Sequence, residues 1–105
     1  MTGAELITEE RKRQIEQEGW TPEHDSQHSY GELALAAMCY ASPYPDPKLY
    51  DPLVHFKDHP VPPMWPWARE WWKPSPDDRK RELIKAGALI AAEIDRLQSL
   101  ERKQK

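Results

Sequence analysis

SPDDRKRELIKAGALIAAEIDRLQSL, residues 75–100, decides the fold class. It opens with a helix start signal: Ser75 at the N-cap, Pro76 at the first helical position, and the acids Asp77 and Asp78 in the first turn. Behind that signal Leu83, Ala86, Ile90, Ile94 and Leu97 recur at helical spacing, and Ile84, Ala88 and Ala91 widen the stripe. A helix over about 76–100 follows. Gly87 costs about 1 kcal/mol against alanine inside it, a cost that a close helix neighbour would justify.

Two further helices precede it. Residues 3–18 are rich in Glu, Arg, Lys, Gln, Ala and Leu, which are good helix formers, and Gly19 is placed to stop them. Their apolar content is thin. Ile7 and Ile15 share a face with Arg11 between them, so this helix is largely solvated or covers a site with polar side chains. GWTPEHDSQH, residues 19–28, has a proline and no apolar period and reads as a loop. Ser29 and Glu32 then have the spacing of a capping box, and a mostly apolar helix over 29–41 follows, with Cys39 as a buried small hydrophobe.

Ten of the eleven prolines fall in 43–76, so the segment 43–75 is a long loop rather than a helix or strand. Its aromatics, among them Trp65, Trp67, Trp71 and Trp72, carry the apolar area that disordered linkers lack. A structured loop wrapping the helices is expected, with a short helical turn near Trp67 to Trp72. The whole chain, 1–105, is then one all-α domain: a small helical bundle with a long Pro/Trp-rich loop.

Composition excludes several functions. A net charge of −3 with mixed signs offers no basic face, so general nucleic-acid binding is not expected. One cysteine forbids an intrachain disulfide. No apolar run approaches the ~20 residues that span a bilayer, and MTGAELITEERKRQ lacks a signal-peptide core, so a cytoplasmic protein is expected. With 38% hydrophobic residues the core is modest, which favours a homo-oligomer.

Chemistry-bearing side chains cluster in two segments. His24 and His28 are four apart and Glu32 four beyond, so an early helix start would put all three on one face. Imidazole and carboxylate together suit a transition metal. Any metal is expected on His24, His28, Glu32 and Glu93, the last a carboxylate embedded among apolar residues. The second segment, MWPWAREWWKP, offers indole faces for a base and Arg69 and Lys73 for phosphate. A ligand pocket is expected where the two segments meet, lined by Arg11, Gln14, Trp20, His24, Asp25, His28, Trp67, Arg69 and Lys73. Trp20 or Trp67 would stack on a base, Arg11, Arg69 or Lys73 would meet phosphate, and His24 and Asp25 would bond a sugar or base edge.

ERKRQIEQEGWTPEHDSQH, GELALAAMCYA, WPWAREWWKP and RKRELIKAGALIAAEIDRL, in that order, resemble a family of small uncharacterised bacteriophage and prophage proteins. The resemblance implies the host bacterial cytosol as location. Glu10, Arg11, Gln14, Gly31, Glu32, Ala36, Glu82, Leu83, Ala88 and Ile94 are similar to positions of the MazG-like all-helical nucleotide pyrophosphohydrolases. That similarity implies a MazG-like bundle and a nucleotide-type ligand. Those enzymes bind magnesium on E-x-x-E and E-x-x-D pairs. Here Ser29 stands three before Glu32 and Lys85 three after Glu82, so half of each pair is missing, and a lysine repels magnesium.

The resemblance therefore implies a nucleotide-binding protein that sequesters its ligand, such as a bacterial immune signal, without a cofactor. A divergent pyrophosphohydrolase, which would need magnesium, is the catalytic alternative. A protein-binding inhibitor of a host factor is the third.

Overall fold

The computed structural model describes residues 1–25, 27–42, 65–75 and 78–103. It is all-α, with four helices and no strand among the described residues: α1 (Gly3–Glu18), α2 (Pro22–Asp25), α3 (Glu32–Ala41) and α4 (Arg79–Lys103). A 3-10 turn, Arg69–Trp71, lies between α3 and α4, within the expected tryptophan turn. No described helix is long and apolar enough to cross a membrane. The part of the proline loop over 43–64 lies outside the described residues.

Local chemistry sets the helix ends. Thr2 and Glu5 form a reciprocal capping box at the start of α1: the Glu5 N–H donates to Thr2 Oγ1 at 3.2 Å and the Thr2 N–H to Glu5 Oε1 at 2.9 Å. Gly19 ends α1 in the left-handed conformation, φ 72°. The stretch read as a loop contains a turn of helix. Thr21 accepts the His24 N–H at 3.2 Å and Pro22 opens α2, so Thr-Pro here is a cap followed by a first helical position.

Two starts shift from their sequence expectation. The box over Ser29 and Glu32 does not form, because Gly31 takes φ 84° and α3 begins after it; Glu32 Oε1 instead accepts the Tyr30 N–H at 2.5 Å. At α4 the cap is Asp78 rather than Ser75: the Arg81 N–H donates to Asp78 Oδ1 at 3.0 Å. Pro76 and Asp77 lie outside the described residues. At its other end α4 runs to Lys103.

The helix α4 packs on all three others. The core joins Leu33, Ala36, Ala37, Cys39 and Tyr40 of α3 to Ala86, Leu89 and Ala92 of α4, and Trp65 and Trp72 close it. This corrects the face expected for α4. Leu83, Ile90, Ile94 and Leu97 are 43–50% exposed, whereas Glu82, Ala86, Ala88, Leu89 and Ala92 are buried. Alanines at the contact let helix backbones approach closely, and the bulky stripe turns outward. Gly87 serves the same approach: a Cβ there would stand 2.5 Å from Ile7 Cδ1 of α1.

Side chains also bind the elements through backbone groups. Arg79 of α4 donates to the carbonyls of Tyr40 (3.1 Å), Ser42 (2.5 Å) and Ala41, supplying the last turn of α3 with the donors it lacks. Lys85 Nζ donates to the Lys73 carbonyl at 2.7 Å, and the Lys73 N–H donates to Tyr40 Oη at 3.2 Å, so the strap after the 3-10 turn is held on both sides.

Ala36 is fully buried in this small-residue contact. Ala36→Leu is expected to cost about 1–3 kcal/mol by overpacking, read in a thermal melt as about 4–8 °C per kcal/mol. Tyr30→Ala, at a side chain that is 90% exposed, is expected to stay within about 0.5 kcal/mol of the parent.

Candidate functional site

The centre of the site is a buried ion pair. Arg11 Nη2 of α1 donates to Asp25 Oδ2 of α2 at 2.7 Å, and Arg11 Nη1 donates to the Trp20 carbonyl at 3.1 Å. One guanidinium therefore grips both ends of the 20–25 segment. Between those ends the Trp20 N–H returns to the Gln14 carbonyl and the Asp25 N–H to the Thr21 carbonyl, so the segment is bonded along its length. Burial pushes the Asp25 carboxyl up, against the pull of Arg11.

Fixing this segment aims its aromatic side chains at the tryptophan strap. The His24 and His28 rings meet edge to face at 5.0 Å with their Nε2 atoms 3.3 Å apart. The His28 ring lies 5.1 Å from Trp67, and Trp20 lies 5.8 Å from Trp67 on another side. Beyond Trp67 the chain of rings continues through Trp65 and Trp72 to Tyr40, which stacks on Trp72 at 4.7 Å.

Trp20, His24, His28 and Trp67 border an open cavity of about 360 Å³. Trp20, His24, Asp25 and His28 line it together with Trp67, Ala68 and Trp71, and Glu18, Gly19 and Leu33 complete it. Two buried polar atoms of the walls, Asp25 Oδ1 and Trp67 Nε1, have no hydrogen-bond partner. The cavity is thus mainly aromatic.

The structure brings five of the nine expected ligand residues to one cavity: Trp20, His24, Asp25, His28 and Trp67. The others stand elsewhere. Arg11 lies outside its lining and is engaged with Asp25 and Trp20. Gln14 is buried, with Nε2 3.3 Å from Glu10 Oε2. Arg69 is exposed on the 3-10 turn, beside Ala68 of the wall. Lys73 Nζ lies 5.7 Å over the Trp71 ring and borders a separate small cleft with Glu10, Arg13 and Lys85.

Of the residues expected at a metal, His28 and Glu32 lie together, whereas Glu93 is paired elsewhere. His28 Nδ1 is 3.4 Å from Glu32 Oε2, and Glu93 is bonded by Arg96, Nε to Oε1 at 2.5 Å. Among the described residues no group of three or more His, Cys, Asp or Glu side chains is disposed to hold a metal ion.

Glu10 and Glu82, named in the sequence only for their similarity to MazG-like positions, are buried as deeply as Asp25. Both lie on polar-looking helix turns, where an acid normally faces solvent. Glu10 receives Arg13 twice at 2.8 Å and Arg81 of α4 at 2.7 Å. Burial pushes its carboxyl up, and the two arginines outweigh burial and hold it below its ordinary value. Glu82 has Arg79 at 3.5 Å, and there burial prevails and the carboxyl is raised. Trp71 and Ala68 sat within the recognised tryptophan segment, but neither position had a spacing that marked it as wall.

No family model, curated protein or solved structure matches the chain.

The opposite shifts of Glu10 and Glu82 predict opposite pH dependences. Glu10 contributes stability above the ordinary carboxyl value of 4.5 that is lost as pH falls through its lowered folded value. The deficit of Glu10→Gln relative to the parent, measured by urea unfolding, should therefore shrink on acidification. Glu82, with a raised folded value, favours the folded state below 4.5 and loses that contribution as pH rises. Glu82→Gln should gain on the parent as pH rises through that folded value.

Proposed function

We propose that this chain binds a flat, nucleotide-derived ligand in the aromatic cavity and holds it without cleaving it. The observation that carries this reading is the cavity itself: about 360 Å³ walled by Trp20, Trp67, Trp71 and two imidazoles. A heteroaromatic base offers a face for stacking on indole. The volume lies near the lower end of the ~300–1,000 Å³ of small-molecule sites, enough for a base and its sugar.

The formally charged side chains in the walls are Glu18 and Asp25, both acidic, so phosphate belongs outside the cavity. Arg69, exposed on the turn that carries Trp71, is the cation best placed to meet it. His24 and His28 face the sugar.

Capture is favoured over hydrolysis by the state of the acids. A magnesium-dependent pyrophosphohydrolase of the MazG-like kind would need carboxylates free to bind metal. Glu10 instead carries two arginines, Glu82 has Arg79 beside it, and Lys85 stands where a second acid is required. Stoichiometric sequestration of a signalling nucleotide needs none of that machinery, and it would serve a phage inside its bacterial host.

Incubation with a panel of mononucleotides and cyclic dinucleotides, followed by heat denaturation, tests this. At least one member should quench tryptophan fluorescence and be returned intact. Trp71→Ala should weaken its binding about 5- to 150-fold, corresponding to the ~1–3 kcal/mol of a base–aromatic stack, with the melting temperature retained. His24→Ala should weaken binding as well. Return of a cleaved nucleotide would make the chain an enzyme. Uptake of no member would leave a protein partner.

A further inference from the structure

We infer that His24 and His28 form a binding site for a transition-metal ion of the zinc class at the edge of the aromatic cavity, with Glu32 orienting one of the two ligands. The backbone sets the pair. The Gln27 N–H donates to the His24 carbonyl at 3.1 Å and the His28 N–H to the Asp25 carbonyl at 3.0 Å, so the chain keeps turning past the end of α2. Side chains four residues apart on such a turn come side by side, and the His24 and His28 Nε2 atoms stand 3.3 Å apart. Two nitrogens bound at about 2.0–2.1 Å to one tetrahedral ion stand about 3.3–3.4 Å from each other. The spacing is therefore the bite of a chelating pair.

Glu32 is placed as the outer partner of such a site rather than as a ligand. Its Oε2 lies 3.4 Å from Nδ1 of His28, the nitrogen that does not meet His24, and its Oε1 accepts the Tyr30 N–H. A carboxylate at Nδ1 keeps the proton there and leaves Nε2 with its lone pair, the tautomer a metal requires. A proton shared between the two Nε2 atoms and an ion bound by both are alternatives for the same contact. The ion displaces that proton to His24 Nδ1, on a side chain exposed to water. Neutral nitrogen donors select zinc, nickel or copper over magnesium, which takes oxygen ligands. Two protein ligands leave the remaining positions to water or to an oxygen of a molecule in the cavity, which both histidines line. The site stands whatever that molecule is.

Zinc alone is the probe. The full chain is titrated with zinc chloride by isothermal titration calorimetry, without nucleotide, and circular dichroism checks folding. The parent should bind zinc at micromolar concentration, and His24→Ala and His28→Ala should each lose one equivalent with helicity retained. Glu32→Ala should keep that equivalent and weaken it about 10- to 100-fold, as loss of an outer partner does. The sequence holds two further histidines, His55 and His59, and the double variant His55→Ala/His59→Ala should keep the equivalent that His24→Ala loses. Excess magnesium should not compete. A parent that takes up no zinc, or a folded His24→Ala variant with the parent's stoichiometry and affinity, would overturn the site. So would loss of the equivalent in the His55 and His59 variant. An unchanged affinity in Glu32→Ala would overturn the orienting role.

Discussion

The Arg11–Asp25 ion pair is the constraint on which the site depends. Neither partner could be buried alone, since an uncompensated charge in a protein interior costs several kcal/mol. Paired at 2.7 Å, they fasten α2, which is a single turn and has no apolar stripe of its own, to a full-length helix. The second arm of the guanidinium takes the Trp20 carbonyl, so the segment between the two contacts has its ends fixed. Trp20 and His24 then stand at the same cavity wall because Arg11 holds the chain before one and after the other. The pair thereby links α1, whose buried residues are all polar, to the aromatic wall.

A second constraint is the size of the core residues. The α3–α4 contact is built largely from alanine, which gives close approach and little apolar volume. The tryptophans supply what the alanines lack: Trp65 and Trp72 seal the end of the contact, Trp72 stacked on Tyr40 and Trp65 edge to face with it, and Trp67 extends the layer outward to His28. The same ring system is core at one end and cavity wall at the other. It also explains why bulky aliphatics on α4 point away, since the alanine face leaves them no room.

Much of the helical framework was legible in the sequence, because propensity, glycine stops and proline all act locally. The bounds of α1 agree with its composition and with Gly19. The starts of α3 and α4 each moved by three residues, because a left-handed Gly31 and the carboxylate of Asp78 outcompeted serine caps of equally good spacing. The turn α2 was hidden by its proline, which opens a helix as readily as it breaks one. Least legible was the choice of face on α4. Periodicity finds the stripe of Leu83, Ile90, Ile94 and Leu97, but which of two apolar faces meets α3 depends on how closely the backbones approach. The cavity residues were found where loops gathered aromatic and ionisable side chains. Arg11 and Gln14 were recognised as special, and their place beneath the wall rather than on it follows from pairings between side chains far apart in sequence.

A double-mutant cycle on Arg11 and Asp25, followed by chemical unfolding, tests the central claim most directly. Arg11→Met and Asp25→Ala should each cost about 3–5 kcal/mol, because each strands a buried charge. The double variant should lose far less than the two losses added together, since it strands none. Additive losses would contradict the account: the two residues would then act independently, and the ion pair would not be what holds the Trp20 to Asp25 segment in place.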